Sequence, residues 1–166
     1  MKLVQNPMLN AILLGGLIAG TVDIGAASLI NMANPLGVLR AIASGLIGKA
    51  AHGGGLPVEA LGFVLQLAMG VLIAAIYMLA TAALPAMRKR WIPTGIIAGV
   101  IIYFVMVYLV LPLSAAPFRQ AFDLQLFIKN FTFDADFVKN LLAMMVFGLI
   151  VGFFARDVPA GRSARS

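Results

Sequence analysis

Asp23 stands inside an apolar run that extends from near Met8 to Ile30, and it is the residue best placed to do chemistry in this chain. A carboxylate at the centre of a spanning helix costs about 2.5–3.5 kcal/mol on insertion scales, so it persists where it faces protein or water. Gly16, Gly20, Asp23 and Ala27 recur at helical spacing and share one narrow stripe. Glycine and alanine on that stripe let another backbone approach, which turns Asp23 into a helix interface and away from lipid.

Three side chains are candidates to meet it. Counting roughly 1.5 Å per residue, Asp23 lies about 12 Å below the outer end of its helix, Gln66 about 14 Å and Tyr103 about 15 Å below theirs. The spacing therefore predicts a polar layer of Asp23, Gln66 and Tyr103. Arg40 is the fourth member, because a segment folding back into the membrane would bring its guanidinium towards Asp23 as an ion pair. Such a layer suits three chemistries: fixing helix register, binding a small solute or ion, or relaying a proton through a carboxylate.

The other motifs carry less. His52-Gly53-Gly54-Gly55 matches a lipase oxyanion-hole string, but no G-x-S-x-G accompanies it. His52 is the single histidine and cysteine is absent, so neither a zinc enzyme nor a disulfide framework is expected. Asp134 and Asp136 are read as N-terminal caps of a helix rather than as a cation site. Nine dispersed methionines fit helix packing better than a copper path. No nucleophile-and-base spacing is recognisable, so no enzymatic activity, metal or cofactor is expected.

The elements that must position these residues follow from hydropathy. Of the 166 residues 62% are hydrophobic and 11% charged, with a mean hydropathy of +1.03, too apolar for a water-soluble fold. Four runs near 9–30, 57–84, 93–113 and 137–155 reach the roughly 20 residues a bilayer requires. The expectation is an all-α polytopic membrane protein forming a single domain over 1–166. The first run is too long, and too interrupted by Asp23, for a signal peptide, and reads as a retained helix. Pro57 suits a first helical position, and Glu59 suits the helix dipole. Residues 35–51 are apolar but too short to cross, which predicts a short re-entrant or interfacial helix with Gly37, Arg40, Ser44 and Gly48 along one side. Residues 117–136 alternate phenylalanine with charge and read as an interfacial outer loop.

The net charge of +6 is not a nucleic-acid signal here, because the basic residues cluster at the ends of apolar runs. Lys2, Arg88, Lys89, Arg90, Arg156, Arg162 and Arg165 fall on one side. Arg40, Lys49, Arg119, Lys129 and Lys139 fall on the other. The short cluster Arg88-Lys89-Arg90 between two spans puts both termini in the cytoplasm. The glycine pairs Gly16/Gly20, Gly95/Gly99 and Gly148/Gly152 are helix-contact motifs, internal or between copies in a homo-oligomer.

The strings GLIAGTVDI, VLRAIASGLIG, EALGFVLQLAMG and VLPLSAAP, in that order over residues 15 to 117, resemble a group of small four-span bacterial inner-membrane proteins. The resemblance implies a bacterial inner-membrane location and no particular activity. Histidine is common in that group where this chain has Gln66, which leaves Asp23 without a titratable partner and weakens a proton relay. Two classes of function remain. One is permeation or transport of a small solute or ion through the polar layer. The other is a structural or accessory subunit packing within a membrane complex or homo-oligomer. A water-filled approach to Asp23 favours the first, and a dry packed layer the second.

Overall fold

A computed structural model of the chain describes residues 6–115 and 135–158. The expected interfacial loop over 117–136 lies almost wholly outside these residues. The described elements are helical, and four helices are long and apolar enough to cross a membrane. The protein is an all-α polytopic chain.

Helix α1 spans Pro7–Ile30. Its start is set by Asn6, whose side chain accepts from the Met8 and Leu9 amides at 3.0 and 3.4 Å, with Pro7 in the first turn. The same device recurs at α2, Pro35–Ile47, where the Asn34 side chain accepts from the Gly37 amide at 2.7 Å. A 3-10 turn over Gly48–Gly53 leads to α3, Leu56–Ala83. A one-turn helix α4, Ala86–Lys89, precedes α5, Trp91–Leu113. Helix α6 covers Ala135–Arg156. The four long helices fall within two residues of the expected spans at each end. Asp136 sits inside the first turn of α6 near Lys139 (3.5 Å), so it is a first-turn acid and not the expected cap. Asp134 lies outside the described residues.

Within α5 the turn Met106–Val110 is a π-helix. Pro112 follows it and has no N–H to give the Tyr108 carbonyl, and a widened turn is one way a helix accommodates such a residue.

Helix α1 packs heavily on both α3 and α6, α5 packs on α6, and α2 packs on the first turns of α3 beside α1. Helices α3 and α6 touch lightly. Glycine permits these approaches. A Cβ on Gly16 would strike the backbone of Gly70 and Val71, and one on Gly148 would strike Gly95 and Gly99. The two GxxxG pairs expected in α5 and α6 thus bind each other. All three glycine faces considered for homo-oligomers are covered within the chain, so a second copy would have to use another surface.

The apolar core lies towards the α4 end. Ala11 and Ala19 of α1 meet Ala74, Tyr77 and Met78 of α3 and Phe147, Val151 and Ala155 of α6, with Val158 beyond. The α2 end is organised by paired polar groups.

Candidate functional site

One stripe of α3 positions the polar groups. Glu59, Gly62, Gln66, Gly70, Ala74, Tyr77 and Thr81 are all buried and follow one another at helical spacing. Three of them reach other helices: Glu59 to α2, Gln66 to α1 and Tyr77 to α5.

The Gln66 Nε2 amide donates to Asp23 Oδ2 at 2.7 Å, across 43 residues of sequence. The small-residue stripe of α1 makes this possible. Gly16 lies against Gly70 and Val71, and a Cβ on Gly20 would come 3.3 Å from the Gln66 carbonyl. The two backbones are close enough for a short aspartate and a glutamine to meet. Asp23 and Gln66, matched in depth from the sequence, are thus in contact. Gln66 is buried and Asp23 half-buried.

The expected Arg40–Asp23 ion pair does not form. Arg40 Nε and Nη2 donate to Glu59 Oε1 at 2.9 and 2.5 Å. The side chain of Arg40 is 44% exposed and that of Glu59 only 11%. The reason is register along α3. Glu59 stands in the first turn, level with α2, and is buried as α2 lies down on α3. Asp23 lies seven residues, roughly 10 Å of rise, inside the end of α1. A buried carboxylate at the level of the guanidinium takes it first.

Tyr103 lies at another interface. It is buried in the α5–α6 half, where its ring meets Phe137 edge-on with centroids 5.4 Å apart. Asp23 and Gln66 thus pair, Arg40 and Glu59 pair separately, and Tyr103 packs on Phe137.

The glycine string after His52 has a structural reason. Gly54 and Gly55 have φ of 64° and 97°, in the left-handed region that favours glycine. A Cβ on Gly54 would lie 2.8 Å from Arg40 Cζ, so the loop also makes room for the guanidinium. The signal for the Arg40–Glu59 pair in the sequence was a shared level at the same end of the bundle, and the helix-dipole role of Glu59 concealed it.

At the α4 end Thr94 Oγ1 lies 3.0 Å from the Tyr77 hydroxyl and donates to backbone carbonyls around it, among them Arg90 at 2.8 Å. Arg88, read from sequence as part of a topology cluster, is only 9% exposed and donates through Nη1 to the Val158 carbonyl at 2.7 Å. Its Nε has no hydrogen-bond partner among the described residues. Arg88 ties the turn after α6 to the α4 loop, on the side where a cation complements the α6 dipole.

Among the described residues no three histidine, cysteine or acidic groups gather as metal ligands. A shallow groove between α1 and α3, lined by Leu17, Val64, Leu67, Val71 and Leu72, is apolar. What remains is chemically simple: a carboxylate held by one neutral amide, in the half of the molecule where polar pairs replace the core. No family model, curated protein or solved structure matches the chain.

Proposed function

We propose that the chain is a bacterial inner-membrane protein, with both termini cytoplasmic, that conducts or transports a small ion or solute by way of Asp23. The observation that carries this reading is the nature of the Asp23 partner. Asparagine would accept the same hydrogen bond from Gln66 at a smaller cost in the membrane. A carboxylate satisfied, among the described residues, by a neutral amide alone leaves one negative charge for a proton or small cation to neutralise, and an intramembrane carboxylate of this kind is by default a functional group. Gln66 is the positioning residue. The orientation follows from the basic cluster Arg88-Lys89-Arg90 and Arg156 at the α4 end. The resemblance to small four-span bacterial proteins supports the location.

Reconstitution into liposomes tests the reading. Wild-type protein should dissipate an imposed proton or alkali-cation gradient, and Asp23→Asn should stop it while unfolding at the same denaturant concentration. Equal flux from both proteins, or none from either, refutes it.

An accessory role within a membrane complex is the second reading. One observation favours it: α5 packs on α6 through one side only, and Ile92, Ile97, Ile101, Val105 and Leu109 on its other sides are exposed, to lipid or to a partner.

A further inference from the structure

We infer that α2 is a hinged gate over the Asp23–Gln66 pair, latched at the outer surface by Arg40 and Glu59. The inference deepens the permeation reading and rests on it for its purpose, though not for its geometry.

The α3 stripe runs from Glu59 through Gly62 to Gln66, one helical turn at a time. Helix α2 covers that stretch. A Cβ on Gly62 would collide with the Leu39 carbonyl, so the α2 backbone is seated directly on the turn above Gln66. Towards α4, Gly70 is covered by Gly16 of α1, and the apolar core closes that end. A solute following the buried stripe from Glu59 to Gln66, and so to Asp23, would pass beneath α2.

The same helix is built to move as a unit. The turn before it contains Met32 at φ 51°, the one described residue other than glycine with positive φ. The turn after it contains Gly48 at φ 61°, then Gly54 and Gly55. Before α2 the non-glycine Met32 is held in a sparsely populated backbone region, and after it the chain turns through glycines free to change direction. Between them, among the described residues, the polar ties of α2 to the bundle are few. They are the Arg40–Glu59 pair and a hydrogen bond from the Ala115 amide to the Gly45 carbonyl at 2.8 Å, beside the backbone seat on Gly62. Arg40 lies at the exposed edge while Glu59 is buried, so the pair stands between a surface and a buried bridge and remains open to change from the Arg40 side. Beside the packing of Val38, Ala43 and Ser44, the ion pair is the tie most open to change, and the population of a displaced α2 would follow its strength.

Ser44 reports the gate. It lies on α2, 2% exposed, with its hydroxyl turned to the Ala41 carbonyl. The full chain has no cysteine, so Ser44→Cys provides a single thiol. In lipid nanodiscs its modification by a water-soluble, impermeant maleimide should be slow. Adding Glu59→Gln, which keeps shape but removes the charge, should speed modification about tenfold, the effect of moving the open fraction by one decade. Exchanging the two charges, Arg40→Glu with Glu59→Arg, should restore protection. If Glu59→Gln does not fold, Arg40→Gln breaks the same latch from its exposed side. Unchanged protection of the thiol in a folded latch variant overturns the gate. Its failure is separable from failure of the permeation reading. A protected thiol removes the gate and leaves the Asp23→Asn flux measurement standing. An exposed thiol with flux indifferent to Asp23→Asn leaves a mobile α2 without the proposed site.

Discussion

Gly148→Ala isolates the contact that joins α5 to α6. A Cβ at this position would meet only backbone: the Gly95 carbonyl, the Gly99 nitrogen at 2.7 Å and the Gly99 Cα at 3.0 Å. None of these is the flexible end of a side chain, so the helices must separate. Overpacking of this kind costs about 1–3 kcal/mol, and the upper end applies where backbone cannot yield. Alanine recovers about 1 kcal/mol of helix propensity, which leaves a net loss of roughly 2 kcal/mol. Gly25 supplies the control. It is exposed in α1, and a methyl group added there would have nothing within 4 Å, so Gly25→Ala should gain about 0.5–1 kcal/mol. Equilibrium unfolding in mixed micelles measures both. A Gly148→Ala protein as stable as Gly25→Ala would refute the backbone-to-backbone packing of α5 on α6.

Arg40→Ala should cost about 1–2 kcal/mol, between an exposed and a buried pair. A double-mutant cycle with Glu59→Ala should show coupling, and one with Asp23→Ala additivity. Coupling to Asp23 instead would contradict the pairing. Arg88→Ala should lose about 1–3 kcal/mol with its buried hydrogen bond. Amide exchange over 155–158 should rise while the α1 amides stay protected, and unaltered exchange there would count against the tie to Val158. Ser163→Cys should resist an impermeant thiol reagent in intact cells and react after permeabilisation. Labelling in intact cells would reverse the orientation.

Hydropathy made the four spans legible because bilayer thickness imposes a length that few other constraints imitate. The α1–α3 contact was legible for a related reason. Gly16, Gly20 and Asp23 share a stripe, and Gln66 lies at a matching depth, so helical geometry alone brings the pair together. The partner of Arg40 was not legible. Depth along separate helices ignores how α2 lies on α3, and that packing is set by Gly62, which carries no polar signal. Tyr103 illustrates the same limit, since residues at one depth can still belong to different interfaces. Arg88 was hidden because its neighbours Lys89 and Arg90 are surface charges, and burial within a basic cluster depends on where the α6 end falls. The left-handed turns of Gly54 and Gly55 could be suspected from composition, but their service to Arg40 required the fold.

The most direct test of the Asp23 site is the reactivity of a thiol placed there. Asp23→Cys in the otherwise cysteine-free chain, held in lipid, is exposed to a small charged methanethiosulfonate, with exposed Val22→Cys on the same turn as the comparison. A site that an ion or polar solute can reach predicts modification from the α2 side, slowed by the transported cation and accelerated by Glu59→Gln. A thiol at position 23 that stays unmodified from either side, in the latch variant as in its parent, would contradict the site and leave Asp23 and Gln66 as a sealed packing contact.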